Sequence, residues 1–261
     1  MKNRFLVGLC LVLAPGCGLA GGDNDLRSLE VSLGSAVTLG QSASIALNAM
    51  RGSGEVRCAN VVTACTDYPC AGEVEVVYGS GCPLPLGGEA VGVTTVTGTW
   101  SSENDAVLDF TFTDVRIGER GTIVAGATTI DASQADGITT VEYTGTQATT
   151  RGALSLAAAS TWDVVVDDSG TPTDPSDDTY TIDGTNAGAG GASGGALTVD
   201  GALVTPDCRR NPVAGEASIT SAGVTNIRTD DITFVSSCDG TARLEPTLGD
   251  ERDVELDFLR D

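Results

Sequence analysis

"VGVTTVTGTW" (residues 91–100) and "AVLDFTFTDVRI" (106–117) decide the fold of this 261-residue chain. Each alternates apolar with polar residues. The first sets Thr95, Thr97 and Thr99 on one side and Val96 and Trp100 on the other. Side chains that repeat every two residues lie on opposite faces of a β-strand, one wet and one dry. A connector of five residues, rich in Ser, Asn and Asp, separates the two runs, so they read as neighbouring antiparallel strands.

The same period continues outward. "EVEVVYG" (73–79) precedes the pair; "GTIVAGATTI" (121–130), "ITTVEYTGT" (138–146), "TWDVVVD" (161–167) and "TYTID" (179–183) follow it. "GALTVDGALV" (195–204), "GEASITS" (215–221), "DITFVSS" (231–237) and "TARLEP" (241–246) complete the series. Gly, Pro, Asp, Asn or Ser bound each one. About a dozen short strands without intervening helices predict an all-β domain, an antiparallel meander closing into a sandwich or a curved open sheet. Residues 186–196, "NAGAGGASGGA", read as a loop between strands rather than a domain boundary, because the pattern is the same on both sides.

Only one stretch has the helical period. Residues 26–50 place Leu26, Leu29, Leu33, Val37, Leu47 and Met50 on one face, filled in by Ala36, Gly40 and Ala43. This predicts a helix packing an apolar stripe on the sheet, within one domain spanning 26–261.

The N-terminus reads as a targeting segment. Lys2 and Arg4 precede about ten mostly apolar residues, too few to span a bilayer as a helix. Ala14-Pro15-Gly16-Cys17 then resembles a bacterial lipobox, which implies a signal at 1–16, a lipidated Cys17 and a solvated tether over 17–25. The competing reading is an ordinary secretory signal cut near residues 18–20. Stable anchoring needs more than one acyl chain.

Export bears on the other cysteines. Setting aside Cys10 and Cys17 leaves Cys58, Cys65, Cys70, Cys82, Cys208 and Cys238, an even number suited to three disulfides. Six cysteines allow 15 pairings. Local geometry favours Cys65–Cys70 across a loop containing Tyr68-Pro69, Cys58–Cys82 at the base of the strands beside it, and Cys208–Cys238 towards the C-terminus. Zinc is disfavoured by the lack of any C-x-x-C pair and of any histidine.

A family resemblance rests on two segments. "VEVVYGSGCPLPLGGEAVGVTTVTGTW" (74–100), and "NPVAGEASITS" (211–221) with "DITFVSSCDGTARLE" (231–245), are similar to exported β-rich bacterial lipoproteins. The resemblance covers about a third of the chain. It implies location and fold, with no assigned chemistry.

Composition removes most catalytic classes. With no histidine and its only lysine at position 2, the chain offers no Ser-His-Asp, Cys-His or Ser-Lys arrangement. What remains is a carboxylate pair of the kind glycosidases use, with Asp105, Asp109 and Asp114, or Asp230 and Asp231, as candidates. No enzyme activity is expected. From Cys17 onward there are 36 acids, 12 arginines and no lysine, a net charge of −24. Such a surface repels polyanions, so nucleic acid is not an expected partner.

Two further features have specific readings. "DDSGTPTDPSDD" (167–178) gathers Asp167, Asp168, Asp174, Asp177 and Asp178, which suits either a weak calcium site or a self-repelling hairpin loop. Its spacing is not that of an EF-hand. Trp100 and Trp162 read as core residues, with ligand stacking as the alternative. The expected function is that of a membrane-anchored structural or binding module, its partner a protein or glycan. Rival expectations are a lipid or lipoprotein carrier shaped as an open half-barrel and, more remotely, a carboxylate hydrolase.

Overall fold

The computed structural model describes residues 23–52, 55–78, 82, 90–117, 122–125, 127–151, 154–187, 195–208, 211–222, 227–247 and 249–256. Cys10, Cys17, the proposed signal and residues 18–22 of the tether lie outside these. The helix α1 (Asp23–Met50) leads into β1 (Ala59–Thr63), β2 (Cys70–Tyr78), β3 (Ala90–Trp100) and β4 (Asp105–Ile117). There follow β5 (Thr122–Ala125), β6 (Ala127–Ala135), β7 (Ile138–Arg151), β8 (Leu154–Asp167) and β9 (Thr179–Ala187). The chain ends with β10 (Gly195–Val204), β11 (Ala214–Ala222), β12 (Ile227–Phe234), β13 (Thr241–Pro246) and β14 (Arg252–Glu255).

Every strand is antiparallel to its neighbours in one open sheet, ordered almost as in the sequence. The single departure is at 121–130, read above as one strand. There β5 pairs with the end of β4 at Arg116 and Ile117, while β6 pairs with Asp105–Thr111, and both continue onto β7. They are two pieces filling one position in the meander. β1 and β14 are the two edges. Of the two expected architectures, the curved open sheet is the one present.

The helix differs from expectation in extent and surroundings. It starts at Asp23, so three residues read as tether are helical, with acids placed favourably at the positive end of the helix dipole. It stops where Gly52 takes φ +69° and donates its amide to the Ala49 carbonyl, a left-handed C-terminal cap. Instead of resting one stripe on the sheet, α1 is enclosed. Residues 28–33 and 35–50 are all buried, and strands from β1 to β11 touch the helix.

Its polar side chains are therefore interior groups, and several find partners across the core. Ser42 shares a 2.7 Å hydrogen bond with the Tyr78 hydroxyl, Asn186 donates to Ser32 Oγ at 3.0 Å, and Gln134 donates to Asn48 Oδ1 at 2.9 Å. Arg51 donates to Gln134 Oε1 at 2.8 Å. Paired this way, buried polar groups avoid the 1–3 kcal/mol that each costs when left unsatisfied. No helix among the described residues is long and apolar enough to cross a membrane.

The three disulfides are Cys58–Cys82, Cys65–Cys70 and Cys208–Cys238, with Cα–Cα separations of 5.4, 5.8 and 5.0 Å. Closing a 30-residue loop, Cys208–Cys238 constrains the unfolded chain most. The chain-entropy relation gives about 3.6 kcal/mol for it, against about 2 kcal/mol for Cys65–Cys70. Double alanine replacement at 208 and 238 is thus expected to lower urea-unfolding stability by more than the same change at 65 and 70. Equal losses would contradict that ranking.

Candidate functional site

The loop from β8 to β9 brings its acids close in sequence but directs them to separate donors. Asp167 Oδ1 accepts from the Ser169 amide at 2.9 Å and Asp168 Oδ1 from the Gly170 amide at 3.0 Å. Asp174 Oδ1 accepts from the Ser176 amide at 3.1 Å and from Arg57 Nη1 at 3.2 Å. The Asp177 carboxylate accepts from Thr171 Oγ1 at 2.7 Å, and Asp178 Oδ2 from the Tyr180 hydroxyl at 3.3 Å. These are turn-forming bonds, the reason aspartate is favoured in such loops. Among the described residues no three acidic or cysteine side chains come together to hold a metal ion. The five aspartates named for calcium are therefore not gathered into one ligand set.

Asp178 nonetheless stands apart electrostatically. Only 4% of its surface is exposed, and burial pushes its carboxyl up to about 7. The Tyr180 hydrogen bond works against that rise, while Asp177, Asp168 and Asp174 add to it. Asp174 goes the other way, lowered first by its bonds to Ser176 and then by Arg57. Burial raises Tyr78 to about 12 and Tyr180 well above the ordinary phenol.

The candidate catalytic carboxylates are not brought together either. Asp105 and Asp109 share the outer face of β4 but lie four residues apart, about 13 Å along a strand. That exceeds the 5–9.5 Å that glycoside hydrolysis needs. The Asp114 side chain is outside the described residues. Asp230 and Asp231, being adjacent in β12, point to opposite faces. Asp230 is buried and held by a two-bond Arg228 guanidinium contact, whereas Asp231 is exposed opposite Glu245.

Register groups other acids that sequence reading missed. Asp131 of β6 lies opposite Glu142 of β7, which lies opposite Asp163 of β8, which lies opposite Asp183 of β9. Past a bulge in β10, Asp200 lies opposite Glu216 of β11. Six successive strands thus carry an acid near one level of the outer face, a row about 24 Å long at ordinary strand spacing. Like charges directly opposed destabilise a sheet. Asp131, Glu142, Asp163, Asp200 and Glu216 have no ion-pair partner among the described residues. At one end of the row Asp105, Asp131, Glu142, Ser133 and Thr140 line a cleft of about 250 Å³. The advance signal was an acid at an outward position in, or directly after, each of these segments.

The inner face is filled. Trp100 and Trp162 are fully buried in one continuous core with α1, and neither indole nitrogen has a hydrogen-bond partner among the described residues. Among the described residues α1 packs against the inner face of the sheet, from β1 to β11, and its side chains share one core with the strands. What the molecule presents is an acidic outer sheet face, an acidic turn region at the helix C-terminal end, and a sparsely charged edge. No protein-family model, curated protein or solved structure matches the chain.

Proposed function

We propose that this protein is an exported lipoprotein, held to a membrane through acylated Cys17, that works as a structural or binding module through the outside of its curled sheet. The supporting observation is the enclosure of α1. Because the helix fills the concave side, a partner must meet strand faces, loops or edges. The helical start at Asp23 leaves only five residues between Cys17 and the folded body, at most about 18 Å of extended chain, so the body would ride close to the lipid surface. Metabolic labelling with an alkyne fatty acid, followed by intact-mass analysis, tests the anchor. Label and acyl mass on a chain beginning at Cys17, both lost in Cys17→Ser, are expected. An unmodified start, or labelling that survives the substitution, would refute it.

A further inference from the structure

Two of the three disulfides hold in place a strand that adds little to the core. β1 is five residues long; its first residue is half-buried and the other four are exposed. Val61 and Val62 are 40% and 51% exposed, the first facing inward beside Val74 and the second displaced by a bulge. Yet Cys58–Cys82 fixes the residue before β1 and Cys65–Cys70 closes the loop after it. A strand with so few buried contacts would fray if left alone. Pinned at both ends, it is instead a pre-organised edge.

Its open side is chemically ready for pairing. The Val77 amide donates to the Cys58 carbonyl, and the antiparallel register then alternates, so Asn60 faces β2 while the amide and carbonyl of Val61 point away from the sheet. No residue from Cys58 to Thr66 is charged, in a chain carrying −24 from Cys17 onward. The other edge is different: three of the four residues of β14, Arg252, Asp253 and Glu255, are charged, which guards it against pairing.

We infer that β1 is a self-association edge, on which a second copy of this chain adds its own β1 antiparallel across a two-fold axis, with Val61 facing Val61. The charge distribution selects this occupant. Two copies repel wherever their acidic faces meet, and the β1 edge lets uncharged segments approach. Isologous pairing consumes the edge on both copies, so assembly stops at a dimer. The bulge at Val62 keeps the shared ladder short, and the dimer is expected at micromolar rather than nanomolar concentration. This inference does not depend on acylation at Cys17.

Sedimentation velocity of the full chain across the micromolar range tests it. A monomer–dimer equilibrium is expected, strengthened by added salt as like charges are screened. Val61→Pro removes the outward amide without touching the β1–β2 ladder and should weaken the dimer by about tenfold or more, two intermolecular bonds being lost by symmetry. Val61→Lys should do the same by charge. Far-UV circular dichroism and melting verify folding, and Val62→Lys replaces either variant that unfolds. A wild-type chain monomeric throughout, open-ended oligomers, or a dimer indifferent to these substitutions would each overturn the proposal.

Discussion

Trp162→Ala is expected to destabilise the protein by about 3–5 kcal/mol, the range for emptying a large buried aromatic site. In a domain of this size that lowers Tm by roughly 10 °C. The indole is fully buried on β8, between Tyr143 of β7 and Gly184 of β9, its two register partners. Gly184 explains why the site collapses poorly. A Cβ there would lie 2.5 Å from the indole Cε3 and 2.3 Å from the Thr161 carbonyl oxygen, and its φ of +154° disfavours other residues. The ring therefore covers a position that must stay glycine, so from the β9 side no side chain is available to fill the space it leaves. Gly184→Val should be comparably damaging, since the clash is partly with backbone. Thermal melts of both variants check this; a loss below about 1 kcal/mol in Trp162→Ala would show the ring to be dispensable packing.

The second large effect is one of pH. Asp178 titrates near 7 in the folded protein and at the ordinary 3.8 once exposed by unfolding. Between those values the folded state holds a proton that the unfolded chain has released. Stability therefore falls as pH rises from about 4 to about 7 and levels off above that. At 1.36 kcal/mol per unit, the contribution is about 4 kcal/mol. Asp174, lowered and largely exposed, contributes in the opposite direction and by less. Urea unfolding at pH 5 and pH 8 is expected to show the wild type weaker at pH 8. Asp178→Asn, neutral at both, should recover most of the difference. Identical slopes in the two proteins would remove Asp178 as the cause.

Most of the meander was legible because strand period and turn residues are local properties. "GALTVDGALV" and "TARLEP" coincide with β10 and β13 to the residue. β14 was not anticipated, since four residues, three of them charged, carry no alternation. The enclosure of α1 was missed for a different reason. The apolar stripe leaves Ser32, Ser35, Gln41, Ser44 and Asn48 unaccounted for, although residues 31–50 contain no charge at all. A face meant for water rarely lacks Lys, Glu, Asp and Arg over five turns. The acidic row lay beyond reach because Asp131, Glu142 and Asp163 become neighbours only through register. In the loop 167–178 sequence shows that the aspartates are close but not where each points: Asp167, Asp168 and Asp174 accept backbone amides two residues on, while Asp178 turns to the Tyr180 hydroxyl.

The enclosure also sets an order of events. α1 is synthesised before any strand, yet the elements that cover it extend to β11, more than 160 residues later. Until those arrive, a helix with apolar residues on several sides has nowhere to bury them. Topologies so dominated by distant contacts fold slowly. Of the described elements the earliest made is sheltered only by the later ones, and premature release or loss of the strands up to β11 should strand it in the open.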